Sequence, residues 1–222
     1  MPVLAATATY GSYYFQHNAV YATAQAAASA SNQGSTPAIG QESTTAGGGE
    51  YWVYRAGLIF DTSTIPSDAA IISATLAIRG LTDSSVNDFD LTVVNGSALS
   101  NPMALADYGG LLAATASGGI ISSTAWSLSA YNSITLNATG LGFITKAGTT
   151  KLALRSSKDI SVTAPTLGDA YDEWIEGYGE DTTNPAKLTV SYEAKGNLFV
   201  KAEKLHYVSY TGIEYYIQGI AV

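Results

Sequence analysis

Residues 51–80 contain two runs of alternating apolar residues separated by a short polar turn, and they limit the possible folds more than any other part of the chain. Apolar residues occupy every second position in both runs: Ala56, Leu58 and Phe60, then Ala74, Leu76 and Ile78. Because successive side chains of a strand point to opposite faces of a sheet, this period of two is typical of half-buried β-strands. The intervening residues 61–68 are rich in turn formers and include Pro66. The stretch favours a binding or structural scaffold over a catalyst.

Shorter alternating runs follow at 88–94, 133–136, 151–155 and 186–192. The positions that we expect to face inward are apolar or aromatic: Phe89, Leu91, Val93, Leu152, Leu154, Leu188, Val190 and Tyr192. Regular short strands between turn residues are typical of two-sheet sandwiches. We therefore predict an all-β fold, a two-sheet antiparallel β-sandwich (jelly-roll) with one short helix and a C-terminal β-hairpin extension.

Two segments carry helical signals. Asn137 is typical of an N-cap, and the short helix after it would turn Leu141 and Ile144 inward and end at Gly148. The Ala-rich residues 20–31 are compatible with a helix as well as a strand. We predict a strand there, because its larger side chains alternate with alanines, and keep the helix as the alternative.

The tail after residue 194 has the pattern of a hairpin, with apolar runs at 205–208 and 213–217 around a loop that ends in Gly212. A hairpin alone is barely stable in water. We predict that the tail forms a subunit interface through Tyr207, Tyr210, Ile213, Tyr215, Tyr216 and Ile217. Packing within its own chain is the alternative. The predicted divisions are an N-terminal arm (1–17), the sandwich (18–194) and this interface or attachment tail (195–222).

Composition excludes several classes of function. Only 13% of the residues are charged, about half the usual share, and the ten Lys and Arg are scattered, so we expect no nucleic-acid binding. The chain has no cysteine, which excludes disulfides and thiolate metal sites. No apolar run reaches the ~20 residues that a membrane-spanning helix needs. The N-terminus carries no basic segment followed by an apolar one, so we expect no secretory signal.

Catalysis is not expected either. Nucleophilic catalysis needs a base beside the nucleophile, and the only histidines are His17 and His206. We predict structural roles for both. Arg55 and Arg155 are predicted to act as structural cations on the polar sides of strands, each pairing with an acid such as Asp61 or Asp159.

A set of residues in a fixed order resembles the DNRLRE-type jelly-roll domains over residues 18–193. The first half of the set comprises Arg55, Phe60, Asp61, Ile65, Pro66, Ala74 and Leu76, and the second half Leu136, Asn137, Gly140, Leu154, Arg155, Asp159, Ile160, Ala164 and Pro165. The resemblance implies a sandwich without catalytic residues. Similar domains occur in bacterial cell-wall and secreted proteins, where some bind carbohydrate, and in phage structural proteins. The tail is similar to the short β tails of phage virion proteins.

Acidic and aromatic residues supply the candidate binding groups. Asp169, Asp172 and Glu173 are a candidate Ca²⁺ or sugar site, although we predict a solvated acidic loop there and no cofactor. Trp126 and Tyr131 are the best exposed aromatic pair for a sugar, and Tyr171 and Trp174 complete the candidate carbohydrate-binding set. Trp52 and Tyr54 share the face of Leu58 and Phe60, so we predict that they pack in the core.

These observations lead to one functional expectation with two alternatives. We expect a non-enzymatic virion structural protein of a bacterial virus, such as a decoration, fibre or tail-associated subunit. It would form homo-oligomers, contact other virion proteins and touch a host cell-surface glycan. The alternatives are a carbohydrate-binding module of a secreted or cell-wall protein and a self-assembling surface filament subunit.

Overall fold

The computed structural model describes residues 1–44, 49–167 and 172–194, together with the backbone of 207–208 and 214–215. The strands are β1 (Val3–Asn18), β2 (Asn32–Gly34), β3 (Ala38–Thr44), β4 (Glu50–Asp61), β5 (Ala70–Ser85), β6 (Asp90–Asn95), β7 (Gly119–Ser122), β8 (Tyr131–Thr135), β9 (Thr149–Ser156), β10 (Glu173–Gly177) and β11 (Lys187–Glu193). The helices are α1 (Tyr21–Gln25), α2 (Asp107–Gly110), α3 (Ala138–Leu141) and α4 (Ser157–Ile160). The all-β prediction is confirmed, with four short α-helices among the described residues rather than one short helix. Within the described ranges no helix is long and apolar enough to cross a membrane.

Two antiparallel sheets share the two longest strands, which is the sandwich that the sequence predicts. Sheet A has the order β1–β11–β5–β8. In sheet B, the later part of β1 pairs with β2 and with β4. From β4 the sheet continues in two branches. One branch has the order β4–β3–β10, and the other has the order β4–β9–β6–β7. The second half of β5 pairs with β10, so β1 and β5, of 16 residues each, pass from one sheet to the other. The register of β1 shifts between Ala8 and Tyr10, near this crossing, as expected where a bulge bends a strand.

The main hydrophobic core lies between the two sheets. Its members follow the alternation seen in the sequence: Leu58, Phe60, Leu76, Ile78, Leu91, Val93, Leu152, Leu154, Leu188 and Val190 are all fully buried. Tyr192, which we also expected to face inward, is only partly buried against this core. At 20–33 cal/mol per Å² of apolar surface, burial on this scale is the main stabilising contribution to the fold.

A layer of short helices and loops covers the outer face of sheet B. This layer, called the cap here, consists of α1 with its flanks, residues 98–114 and α4. A second apolar cluster lies beneath it: Tyr14, Tyr21, Ala24, Val53, Ile59, Val94, Leu99, Met103, Tyr108, Leu111 and Ala153. The β4 face that carries Arg55, which we predicted to be the polar side of the strand, is therefore buried.

The strand predicted at 20–31 is wrong, because Tyr21–Gln25 forms helix α1. The buried residues of α1 are Tyr21, Ala24 and Gln25, a spacing of three and four that a helix turns to one side. The alternation of large and small side chains misled the sequence interpretation. The N-cap prediction is confirmed, since the Asn137 side chain accepts a hydrogen bond from the Gly140 backbone N–H at the start of α3.

The two chain ends differ from each other. Most of residues 1–17, which we expected to form an arm, lie in β1 and pair with β4 and β11 inside the sandwich. In the tail, β12 (Tyr207–Val208) pairs antiparallel with β13 (Glu214–Tyr215), as a hairpin requires. The side chains named for the predicted interface, including Tyr210, Ile213, Tyr216 and Ile217, lie outside the described residues, so that interface stays a prediction.

Candidate functional site

The two predicted structural cations meet at one buried carboxylate. Arg55 Nη2 lies 2.8 Å from Asp159 Oδ1 and Arg155 Nε 2.7 Å from Asp159 Oδ2, with all three side chains at most 1% exposed. Burial alone would raise the pKa of Asp159, but the hydrogen bonds and charges of Arg55 and Arg155 outweigh it and hold that pKa below its usual range. Asp61, the other acid that we considered, is exposed and accepts a hydrogen bond from the Ser63 backbone N–H instead.

The same two guanidinium groups attach the cap to sheet B. Arg55 donates to the backbone carbonyls of Gln25 (2.7 Å) and Tyr108 (2.8 Å). Arg155 donates to three further cap carbonyls, those of Leu111, Leu112 and Ala114. The two guanidinium groups thus join the buried Asp159 to five carbonyls of the cap, and this cluster is a structural clamp.

The pair predicted to be exposed, Trp126 and Tyr131, is less exposed than expected. Trp126 is 7% exposed and belongs to the core between the sheets. Tyr131 is half-buried, its hydroxyl donates to the Pro185 carbonyl, and Lys187 Nζ lies 4.1 Å from the centre of its ring. Trp126 lies in the irregular region between strands, where the sequence has no alternation to reveal burial. Tyr171 falls outside the described residues.

The predicted solvated acidic loop is also corrected, because Glu173–Gly177 forms β10 between β3 and β5. Glu173 is buried, 2.6 Å from Lys158 Nζ and 2.7 Å from Gln41 Nε2. The described part of the chain contains no group of three or more His, Asp or Glu arranged to hold a metal ion. The Ca²⁺ alternative included Asp169, which is not among the described residues, and stays a prediction.

Six aromatic rings lie side by side on the opposite face of sheet B, and we call them the aromatic ladder: Tyr13, Phe15, His17, Trp52, Tyr54 and Trp174. All six are partly exposed. Phe15 lies 5.0 Å from Trp52 and 6.0 Å from Tyr54 between ring centres, and Tyr54 lies 6.1 Å from Trp174. His17 stacks on Trp52 at 4.4 Å and an angle of 15°. The rings thus form a continuous surface across β1, β4 and β10.

Strand register builds this surface. Phe15 pairs directly with Tyr54 and His17 with Trp52, so their rings project on the same side. This is the face that carries Leu58 and Phe60 into the core, as we predicted for Trp52 and Tyr54. Those two residues are only partly buried, however, and do not belong to the buried core between the sheets, where we predicted them.

Two glycines leave room for the rings. Gly40 pairs with Tyr54 on one side and Trp174 on the other, and its φ of +135° is a conformation that residues with a Cβ rarely adopt. A Cβ at Gly40 would lie 2.5 Å from Trp174 Cα, and one at Gly34 would lie 2.0 Å from the Tyr13 ring. Without side chains at these positions, Trp174 can approach Tyr54 and Tyr13 can cover β2.

Carboxylates border the ladder. The Tyr54 hydroxyl donates to Glu42 Oε1 at 2.5 Å, Glu50 lies 3.0 Å from His17 Nδ1, and Glu176 accepts from Thr82 at 3.2 Å and from Thr36. Burial raises the pKa of Glu42 above its usual range, although the Tyr54 hydroxyl and the Trp174 indole act in the opposite direction. Burial, followed by the charge of Glu42, raises the pKa of Tyr54. The Trp174 indole nitrogen is buried and makes no hydrogen bond of ordinary geometry.

A groove of about 350 Å³ beside the cap is a second candidate site. Asn95, Ser97, Gly110, Ala113 and Phe143 are among the residues that line it. The neighbouring Lys151 donates to the Leu99 carbonyl. This lining offers one aromatic ring and mostly small neutral groups, so the aromatic ladder is the stronger candidate site.

Sequence reasoning found one member of the ladder, Trp174, among the proposed sugar-binding residues. The available signal for the rest was the aromatic-rich run at 13–17, in which the period of two of a strand places Tyr13, Phe15 and His17 on one face and Tyr14 on the other. No protein-family model matches this chain, and no curated protein sequence matches it either. The resemblance to the DNRLRE-type domains therefore stays a prediction that rests on its own residues.

Proposed function

We propose that this chain is a non-enzymatic β-sandwich that binds a saccharide along the aromatic ladder. The observation that carries the proposal is the row of partly exposed rings running from His17 and Trp52 to Trp174. A monomeric domain buries most of its large aromatic side chains, and a contiguous exposed group of them marks an interaction site. This corresponds to the carbohydrate-binding alternative of the sequence analysis, with a different set of residues.

The chemistry of the surface fits a sugar. Ring faces pack against the apolar C–H faces of pyranose rings, and a few polar groups at the border orient the ligand by hydrogen bonds. Glu42, Glu50 and the Tyr54 hydroxyl supply such groups.

The test is binding of the purified chain to a glycan array, followed by calorimetry with the best ligand. We expect Trp52→Ala and Trp174→Ala each to weaken binding about tenfold or more, as loss of a central aromatic contact does. Tyr131→Ala is the matched control, because it removes a half-buried aromatic residue outside the ladder and should leave affinity unchanged. Binding that depends on Tyr131 but not on Trp52 would overturn the assignment.

A virion structural role is the second candidate, and the pairing of Tyr207–Val208 with Glu214–Tyr215 favours it. A two-stranded hairpin needs a further surface to be stable, and the low share of charged residues suits a protein covered by neighbouring subunits. In this proposal the tail joins copies of the chain within a phage particle, as a decoration, fibre or tail-associated subunit, and the ladder faces a host glycan. A self-assembling surface filament is the related alternative.

Size-exclusion chromatography with light scattering tests this second candidate. We expect the full chain to form a defined oligomer, and a chain that ends at residue 194 to be monomeric with an unchanged circular-dichroism spectrum. A monomeric full chain would reject the assembly role without affecting the saccharide proposal.

A further inference from the structure

The described charges on the ladder face are almost all negative. Glu42 lies opposite Trp52 in the register of β3 and β4, and Glu50 precedes Trp52 by two positions, which places it on the same face. Glu176 belongs to the same side of β10 as Trp174, and its charge raises the pKa of Tyr13 after the larger effect of burial. These three carboxylates border the six rings, and the charge of Asp172 also acts on Glu42 and on Tyr54.

The positive side chains among the described residues lie elsewhere. Arg55 and Arg155 are in the cap clamp. Lys146 donates to the Ala69 carbonyl, Lys151 to the Leu99 carbonyl and Lys158 to Glu173, and Lys187 lies over Tyr131. Arg79 pairs with Tyr131 in sheet A. In this part of the protein, His17 is thus the one side chain on the ladder that can carry a positive charge.

Aromatic faces and carboxylates together select cations. The face of an aromatic ring carries negative electrostatic potential, and an ammonium group within about 6 Å of its centre is attracted to it. Carboxylates beside the ring add a direct Coulomb attraction, which is stronger where burial lowers the effective dielectric constant, as at Glu42. Sugars that bear carboxylate or sulfate groups would instead be repelled by the same residues.

Resting on the proposed saccharide function, we infer that the ligand of the aromatic ladder is an amino-sugar oligosaccharide with protonated amines, and that acidic glycans are excluded. Ring stacking would supply affinity for any pyranose. Glu42 and Glu50 would supply the preference for the ammonium group.

Calorimetric titration with three tetrasaccharides tests this inference: a fully deacetylated glucosamine tetramer, its N-acetylated counterpart and a tetramer of uronic acid. The titrations are run at the highest pH at which the amines are still mostly protonated, so that Glu42, whose pKa is raised by burial, keeps its charge. We expect the glucosamine tetramer to bind about tenfold more tightly than the N-acetylated one, the range that a cation–π contact gives, with a preference that weakens as salt is added. The uronic acid tetramer should not bind measurably.

Glu42→Gln is the diagnostic variant, because it removes the charge and keeps an oxygen that accepts the Tyr54 hydrogen bond. It should weaken binding of the charged tetramer several-fold more than binding of the N-acetylated tetramer, because only the charged tetramer loses an ammonium–carboxylate attraction. Glu180→Gln is the matched control, since Glu180 is exposed and lies beyond the end of β10, and it should behave like wild type. Circular dichroism checks that both variants fold.

The outcomes separate this inference from the function on which it rests. Equal binding of the charged and N-acetylated tetramers that is lost in Trp52→Ala overturns the cationic preference and leaves saccharide binding intact. Tightest binding of the uronic acid tetramer overturns the preference in the opposite direction. If the chain binds none of these and no glycan on an array, both proposals fall together.

Discussion

The two faces of sheet B, at the end where β1, β3, β4 and β10 run side by side, differ in how their polar groups are satisfied. On the capped face, Arg55 pairs with Asp159 and Glu173 with Lys158. On the ladder face, the neighbouring residues Tyr54 and Trp174 are half-exposed, and the Trp174 indole N–H has no hydrogen-bond partner of ordinary geometry. Residues adjacent in sequence thus have opposite environments.

The difference indicates what each face is for. Buried polar groups that are fully paired within the chain hold a fold in one arrangement, and removing one partner is costly. Half-exposed aromatic rings contribute less to stability, because part of their apolar surface stays in water. Substitutions on the capped face should therefore change the free energy of unfolding, and substitutions on the ladder face should change binding.

The largest expected effect is that of Asp159→Asn on the capped face. The substitution leaves Arg55 and Arg155 buried without a negative partner, which should lower the free energy of unfolding by about 3–5 kcal/mol. Urea denaturation followed by tryptophan fluorescence measures the change. Asp61→Asn, which alters an exposed carboxylate of the same type, should have little effect. An Asp159→Asn protein as stable as wild type would show that the clamp does not hold the cap.

Acid should affect the two faces with opposite signs. Arg55 and Arg155 hold the folded pKa of Asp159 below its unfolded value of about 3.9, so its stabilisation is complete above that value and is lost as the pH falls through the folded pKa. Burial raises the folded pKa of Glu42, so its ionisation destabilises the fold at neutral pH, and this penalty disappears as the pH falls.

The unfolding free energies of wild type and Glu42→Gln across the acid range measure this difference. We expect Glu42→Gln to be the more stable protein at neutral pH, with a gap that closes in acid as Glu42 becomes protonated. Both proteins should lose stability at the lowest pH as Asp159 becomes protonated. A gap that widens in acid would contradict the assigned direction at Glu42.

Gly40→Ala tests how the ladder is built. A methyl group would lie 2.1 Å from the Glu173 carbonyl oxygen and 2.5 Å from Trp174 Cα, at a φ of +135°. We expect a loss of about 1–3 kcal/mol from backbone strain, together with weaker saccharide binding as Trp174 moves away from Tyr54. Gly142→Ala is the matched control, because a Cβ there would meet its nearest neighbour at 3.1 Å with an ordinary helical φ of −67°. Equal losses in both variants would argue against a special role for Gly40.

The sequence predicted the parts of this structure that depend on local periodicity. Alternation located β4, β5 and β9 and the inward positions such as Leu58 and Leu76, and the Asn137 cap was readable from one side chain. Asp159 was named as one of two candidate partners for the buried arginines. Each of these features is encoded within a strand, a turn or a short motif.

The features that the sequence did not predict depend on contacts between distant segments. The cap that buries Arg55 is assembled from residues near 25, 108 and 159, and no local pattern indicates that they converge on β4. The aromatic ladder requires β1 to pair with β4 in a particular register, and a slip of one residue would place Phe15 on the other face. Periodicity places Trp52 and Tyr54 on the core face of β4. It does not show how far along β4 sheet A covers that face.

The smallest expected effect is that of breaking the ion pair on the ladder face, and it is best measured against the ion pair on the capped face. His17 and Glu50 are 36% and 37% exposed, so His17→Gln should change the free energy of unfolding by under about 1 kcal/mol. Lys158→Met on the capped face leaves Glu173, whose side chain is 5% exposed, without its cation. This substitution should have the larger effect and lower the free energy of unfolding by about 1–3 kcal/mol. Thermal unfolding of the two variants at the same pH measures the contrast. If His17→Gln destabilised the protein as much as Lys158→Met, the ladder face would also contribute to stability, and its rings would not serve ligand binding alone.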